Sequence, residues 1–323
     1  MRILVTGAGG FLGSHVAERL LEQGHEVRAL ARRENIPGWL VKRGAEVVAG
    51  DVTDASSRAH ICRGCDAVVH AAALVTEVAV PDTEYFRVNA EGSESLAREA
   101  ARAGVRRFVY VSSTSVHRPN SGKALDVKTA IEPGDVYAQS KAEAERRLAR
   151  VAAETALELV IVRPSRIYGP RDASLGRVFR AIDRRRFLLV GPCDAEIDFV
   201  YATDVAAALG AAVDRGSGVY LVGGPERLSI ERFFIEIAAA LGKRLPGTRL
   251  PLAPALFASR LIAWAWVRVG REPPVAPKRF AFFQNSRVVD NARACAELGY
   301  EPAVGVREGI RETARWYREA GRL

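Results

Sequence analysis

The opening stretch restricts what this chain can fold into more than any other. Ile3-Leu4-Val5 is an apolar run that ends abruptly in Thr6-Gly7-Ala8-Gly9-Gly10, and Phe11, Leu12, Val16, Leu20 and Leu21 then recur at helical spacing. The pattern is strand, tight turn, helix. Gly7, Gly10 and Gly13 stand three apart. Glycine tolerates positive φ and lets backbone approach a ligand with no Cβ in the way. The start of the next helix offers unpaired N–H groups and the positive end of its dipole. A diphosphate is the natural occupant. The bland alternative is a tight turn with no ligand. The position between a strand and a helix, at the head of an alternating chain, is the context nucleotide binding requires. Gly7, Gly10, Phe11, Leu12 and Gly13 are the first candidate cofactor residues.

Apolar runs recur at Val27–Leu30, Val47–Ala49, Ala67–His70, Phe108–Val111, Leu159–Val162 and Val219–Val222, separated by helical patterns, notably 83–103 and 137–155. Short β-rich runs alternating with helices predict an α/β fold, a doubly wound parallel sheet with helices on both faces. Ligands then bind beyond the carboxyl ends of the strands. After about residue 170 the alternation fades and Pro and Gly multiply, from Gly169-Pro170 to Pro277. This half is expected to build a second, smaller mixed α/β lobe that closes over the cofactor, with helices near 229–241, 254–267 and 306–319. The expected division is a cofactor-binding unit at 1–170 and a mainly substrate-binding lobe at 171–323, with segments near 197–224 returning to the first unit.

At 323 residues and 48% hydrophobic content the chain can bury a large core. The first residues already read as a strand, so no signal peptide is expected, and no long uncharged apolar run predicts a bilayer span. The four cysteines are too few and scattered for a disulfide framework. Cys62 and Cys65 form one CxxC with no second pair, so no metal site is expected. A cytoplasmic, reducing setting fits. Net charge is +9. Basic chains can bind nucleic acid, but here the charge is spread along helices without interleaved aromatics, so no nucleic-acid partner is expected. Arg184-Arg185-Arg186 reads as a solvated helix end. A basic surface equally suits a phosphorylated cofactor or an anionic membrane surface.

Folds of this kind that prefer NAD place a carboxylate at the tip of the second strand, on the ribose 2′-OH. Here that tip reads Ala31-Arg32-Arg33. Guanidinium groups suit a 2′-phosphate, so NADP(H) is favoured over NAD(H); the alternative is two ordinary surface arginines. Asp51, followed by Val52, closes the third strand, where it could accept from the adenine amino group; the alternative is a helix cap at Asp51 or Asp54.

Tyr137-Ala138-Gln139-Ser140-Lys141 opens a strong helical pattern. Residues four apart share a helix face. An ammonium near a phenol stabilises the phenolate and lowers its pKa, which equips the tyrosine for general acid–base work. Upstream, the strand Phe108–Val111 ends in Ser112-Ser113-Thr114-Ser115. Hydroxyls there could hold a substrate carbonyl oxygen, or form only a polar turn.

Thr6-Gly7-x-x-Gly10-x-x-Gly13, the serine cluster and Tyr137-x-x-x-Lys141 together resemble the extended short-chain dehydrogenase/reductase superfamily. Val88-Asn89-Ala90-Glu91-Gly92 resembles its helix segment, His70-Ala71-Ala72-Ala73 its fourth strand end, and Arg163-Pro164-Ser165-Arg166-Ile167-Tyr168-Gly169-Pro170 the segment lining the nicotinamide. The resemblance implies a Rossmann fold and adds Ala71, Ala72, Asn89, Pro164 and Ile167 to the cofactor residues. It places the catalytic hydroxyl at Ser113, five residues before the end of a Val-Tyr-Gly pattern that reads Val116-His117-Arg118 here. It implies hydride transfer: Tyr137 exchanges a proton with the substrate oxygen, Ser113 hydrogen-bonds that oxygen, and Lys141 lowers the Tyr137 pKa and holds the nicotinamide ribose. A homodimer is expected.

Two branches of that superfamily compete. Sugar-nucleotide epimerases carry Arg-Asp-Phe-x-x-x-x-Asp-Val, whose Arg grips a diphosphate. This chain reads Ile197-Asp198-Phe199-Val200-Tyr201-Ala202-Thr203-Asp204-Val205. An apolar side chain cannot replace a bidentate phosphate contact. The segment resembles the 3β-hydroxysteroid dehydrogenase-like branch, as do Gly270-Arg271-Glu272-Pro273-Pro274, Asp290 and Leu298-Gly299-Tyr300-Glu301-Pro302. The unusually apolar stretch 252–269 reads as a core helix of the small lobe, or else as a greasy pocket wall or a peripheral membrane contact. The expected activity is NADP(H)-linked oxidation or reduction of a secondary alcohol or ketone, on a small steroid-like or long-chain 3-oxo lipid. A sugar-nucleotide epimerase or reductase is the runner-up. A non-catalytic NADP(H)-sensing regulator is the reading from another class.

Overall fold

A computed structural model describes residues 1–58, 60–75, 80–120, 123–268 and 285–323. Six strands, β1 (Arg2–Thr6), β2 (Glu26–Ala31), β3 (Glu46–Ala49), β4 (Ala67–His70), β5 (Arg107–Val111) and β6 (Glu158–Pro164), join the edge strand Gly218–Val222 in one seven-stranded sheet. Its order is Gly218–Val222, β6, β5, β4, β1, β2, β3. Every pairing in it is parallel. A parallel sheet needs a crossover between neighbours, and the crossovers cover both faces. That explains the unbroken apolar runs: every residue of β4 and β5 is buried.

The helix α1 (Phe11–Glu22) and the helix Ala202–Asp214 cover one face through Val16, Ala17, Leu20, Val205, Leu209 and Val213. The helices Ser93–Arg102 and Val136–Glu154 cover the other through Leu96, Ala97, Ala100, Leu148 and Val151. Each such large aliphatic side chain contributes about 1.5–3 kcal/mol by leaving water. A separate core, built around Tyr168, Phe179, Phe199, Phe233, Ile310 and Tyr317, holds the helices Ala173–Asp183, Ile230–Ala240 and Val306–Glu319 together. Phe199 and Phe233 stack face to face there, ring centroids 3.8 Å apart. Three short two-stranded pairs complete this part.

Two expectations change. The 83–103 helix is interrupted: Asp82–Phe86 and Ser93–Arg102 flank a π-helical stretch, Arg87–Gly92. Such widened turns concentrate at functional sites, and this one carries Asn89. The helix Leu252–Arg268 is not a core helix. Phe257 is 72% exposed, Leu261 56% and Trp264 55%. On its inward side Ser259 is fully buried between half-buried Leu256 and Ala263, and its hydroxyl turns back to the Leu256 carbonyl at 2.8 Å. Val269 and Gly270–Pro274 lie outside the described residues.

Candidate active site

After β3 the chain crosses to the far side of β1 to begin β4. This is the topological switch point, and folds of this kind bind their ligands there, in the crevice beyond the carboxyl ends of the strands. The glycines shape its floor. Gly7 has φ +71°, and a Cβ on it would lie 2.8 Å from the Ala72 amide nitrogen. A Cβ on Gly13 would lie 2.2 Å from the Gly7 carbonyl oxygen, so only glycine lets α1 start this close to the turn. Gly10 caps α1 with no side-chain hydrogen bond, and the first turn holds no acid. Bare N–H groups at a positive helix end, with backbone on all sides, fit a cofactor diphosphate. Phe11 and Leu12, both half-buried, open that helix.

A buried hydrogen-bond chain ties the walls of the crevice together. Thr6 Oγ1 lies 2.6 Å from His70 Nδ1, and His70 Nε2 lies 2.7 Å from Ser93 Oγ. Ser93 in turn donates to the Asn89 carbonyl at 2.6 Å. The Ala72 amide donates to Thr6 Oγ1, and the Ala71 amide to the Thr6 carbonyl, both at 3.3 Å. Complete burial pushes His70 down to about 3, with the Lys141 charge adding to the effect. The imidazole is therefore neutral, as a link of this chain requires. Asn89, fully buried, accepts from the Leu74 amide at 2.8 Å and donates to its carbonyl at 3.0 Å and to Ser140 Oγ at 2.9 Å. It pins the loop after β4 to the helix that carries Tyr137.

Asp135 caps that helix, accepting from the Ala138 amide at 2.8 Å. Tyr137 and Lys141 both project toward the end of β5. Ser113 lies two residues beyond β5, where its hydroxyl oxygen accepts from the Ser115 amide at 3.1 Å and its presence draws the pKa of the Tyr137 phenol down. Ser112 donates to buried Glu145, the Thr114 carbonyl accepts from Arg287 at 2.9 Å, and the Ser115 hydroxyl is buried with no hydrogen-bond partner among the described residues.

The expected effect of Lys141 on the phenol is not found. Burial pushes Tyr137 up to about 12, and the opposing pull comes from Ser113 and Arg166. The Lys141 ammonium sits lower, donating to the Val111 carbonyl at 2.5 Å and lying 4.2 Å from the Tyr110 ring centroid. Burial brings it down to about 7, against the pull of Glu145.

Sequence reasoning missed the support beneath Lys141. Glu145 accepts from Arg163 Nε at 2.9 Å and Nη2 at 2.5 Å. Arg163 Nη1 lies 3.1 Å from His117 Nε2, whose Nδ1 lies 3.0 Å from the Ala130 carbonyl. The carboxylate stands one helical turn beyond Lys141, so its spacing was visible; its partners on β6 and beyond β5 were not. His117, the departure from the family pattern, is the neutral acceptor that completes this buried network, and burial lowers its pKa.

The remaining candidates are less committed. Arg32 and Arg33 are exposed at the tip of β2, and Arg32 Nε lies 3.4 Å from Glu34 Oε1, a carboxylate the tip was not expected to offer. Asp51 Oδ1 accepts from the Thr53 amide and hydroxyl at 2.8 and 2.7 Å, so one oxygen serves a turn. Asp54 caps the short helix Ala55–Arg58 through Ser56 and Ser57. Val52 is buried beside Leu30. Pro164 ends β6 opposite Val222, and Ile167 pairs with Val200. Cys62 and Cys65 are buried, and burial pushes the Cys62 thiol up to about 12, which makes it inert. Ile197 is buried in a strand pairing.

The 3-2-1-4-5-6 strand order, the glycine turn and a Tyr–Lys helix beside a serine loop define a nucleotide-dependent enzyme of the Rossmann type. The chain belongs to the NAD dependent epimerase/dehydratase family, whose model matches residues 3–223. It is 29% identical to a 3-beta-hydroxysteroid dehydrogenase of Mycolicibacterium neoaurum, over 98% of this chain and 91% of that one. It is 30% identical to a 2-alkyl-3-oxoalkanoate reductase of Stenotrophomonas maltophilia, over 96% of this chain and 98% of that one. The crystal structure of gox2253 superposes with a TM-score of 0.83 at 29% identity, covering 99% of each chain. The protein is thus an extended short-chain dehydrogenase/reductase with a nicotinamide cofactor. No helix among the described residues is long and apolar enough to cross a membrane.

Proposed function

We propose that this enzyme is an NADP(H)-dependent oxidoreductase for a secondary alcohol or ketone, on a steroid-like or long-chain 3-oxo lipid. The observation that carries the substrate class is Ile197. Where sugar-nucleotide relatives place the arginine that grips a diphosphate, this chain buries an apolar side chain, 2% exposed, in a strand pair. The nearby Arg287 is already engaged, donating to the Thr114 and His117 carbonyls at 2.9 and 2.7 Å. The names of the two relatives, a steroid dehydrogenase and an oxoalkanoate reductase, support the same class.

The nicotinamide, when bound, supplies or accepts the hydride. Tyr137 exchanges the proton with the substrate oxygen, and Ser113, beside it, holds that oxygen. With its pKa up at about 12 the phenol keeps its proton at neutral pH, which suits donation to a ketone. Charge brought in by Lys141 would lower it for the reverse direction. Gly7, Gly10 and Gly13 with the α1 N-terminus hold the diphosphate, Ala71, Ala72 and Asn89 form the wall, and Arg32 and Arg33 receive the 2′-phosphate. A homodimer in the cytoplasm completes the reading.

Thermal unfolding with NADPH present tests it. Steroid or long-chain 3-oxo ligands are expected to raise the melting temperature, and UDP and GDP to leave it unchanged. Clear protection by a nucleoside diphosphate would promote the sugar-nucleotide epimerase reading instead.

A further inference from the structure

The helix Leu252–Arg268 is built inside out for a core helix. Its inward stripe is Leu252, Ala255, Leu256, Ser259 and Ala263, while Phe257, Leu261 and Trp264 face solvent, flanked by Ile262 and Trp266, each 37% exposed. More apolar surface lies near the start of the helix: Leu188 and Leu250 are 41% and 42% exposed, on or next to the strand pair Leu189–Val190 with Arg249–Leu250, whose Gly191 end approaches Leu252. Exposed large apolar side chains grouped in this way mark a contact site.

Cations outnumber carboxylates around it. Between Ile237 and Arg268 the sequence holds no Asp or Glu, yet it holds Lys243, Arg244, Arg249, Arg260 and Arg268; Arg249 pairs with Glu231, and Lys243 with Asp183 at 3.7 Å. Arg184, Arg185 and Arg186, all exposed, directly precede Phe187 and Leu188. The Arg268 guanidinium lies 4.0 Å from the Trp264 ring centroid, so the aromatic and the cation form one unit at the helix end. Tryptophan favours the zone where hydrocarbon meets headgroup. Arginine beside it favours anionic headgroups, and an exposed apolar helix face favours the acyl boundary.

We propose that this face of the smaller lobe docks on an anionic lipid bilayer surface, lying in the interface rather than crossing it. Charge complementarity selects this occupant, because a second copy of the chain would bring the same cations against themselves. The proposal goes beyond the catalytic reading and stands on separate observations.

The test uses the full chain, sedimented with vesicles of pure phosphatidylcholine or of phosphatidylcholine with about one-third phosphatidylglycerol. Binding to the anionic vesicles is expected to be about tenfold or more tighter, to weaken with added salt and to shift tryptophan emission to the blue. Two exposed double variants, Phe257→Ser with Trp264→Ser and, separately, Arg260→Glu with Arg268→Glu, are each expected to lose that binding while keeping the melting temperature of the native chain. Three results would overturn the proposal: equal binding to both vesicle types, variants that bind like the native chain, or self-association that the variants abolish without any vesicle binding.

Discussion

Glutamate 145 offers the sharpest prediction about the buried machinery. Its carboxylate is 5% exposed and its partner Arg163 4%, with both guanidinium arms engaged and Ser112 donating a third bond. Glu145→Gln removes the charge but keeps the shape, and leaves a buried guanidinium uncompensated. Breaking such a pair from one side costs about 3–5 kcal/mol. Arg163→Met breaks it from the other side and carries a similar cost. The two losses share one cause, so the double variant is expected to cost no more than either single, where simple addition gives about 6–10 kcal/mol. Urea denaturation of the four proteins at neutral pH measures the cycle. Additive losses, or a Glu145→Gln cost below about 1 kcal/mol, would refute the reasoning that this network is a coupled buried unit.

Three further outcomes follow from the same geometry. Tyr137→Phe keeps the ring and removes the exchangeable proton, so cofactor binding should survive while turnover falls by about 10²-fold or more; near-normal turnover would place the proton donor elsewhere. Neutral burial of His70 sets a pH dependence: unfolded chains take up its proton below the ordinary value of 6.5, but the native ring resists until about 3. Stability is therefore lost as pH falls through that window, by up to about 1.4 kcal/mol per unit. His70→Gln should flatten that acid limb in denaturation curves, and an unchanged slope would count against it. Arg32→Ser with Arg33→Ser should weaken NADPH binding at least about tenfold while sparing NADH, if their charge-assisted bonds to the 2′-phosphate contribute about 1.5–3 kcal/mol each; calorimetry showing equal losses for both cofactors would contradict this.

The architecture was legible because a doubly covered parallel sheet writes itself into the sequence as apolar runs between amphipathic stretches. Val27–Leu30, Ala67–His70 and Val219–Val222 all proved to be strands of the one sheet. The helix of Tyr137 was equally clear from its periodicity, and the structure adds its cap, Asp135. What stayed hidden depends on contacts between distant segments. Nothing local says that Glu145 meets Arg163, that His117 accepts from Arg163, or that His70 links Thr6 to Ser93. Nor does the serine cluster itself say that Ser112 is bonded to Glu145, a carboxylate on the helix of Tyr137. The apolar stretch 252–269 was misleading for another reason: composition reports that a helix is greasy, not which face meets the protein. The phenol of Tyr137 went wrong through an assumption of proximity, since the lysine four residues on reaches to the Val111 carbonyl instead.

The most direct measurement of the central claim follows a labelled hydride. NADPH deuterated at C4 of the nicotinamide would be incubated with the enzyme and a long-chain or steroidal 3-ketone, and the product examined by mass spectrometry alongside cofactor absorbance. The account predicts one cofactor oxidised per ketone reduced, deuterium on the new carbinol carbon, and loss of both signals in Tyr137→Phe. Cofactor that stays unconsumed with every ketone, while a nucleotide sugar is isomerised, would contradict it.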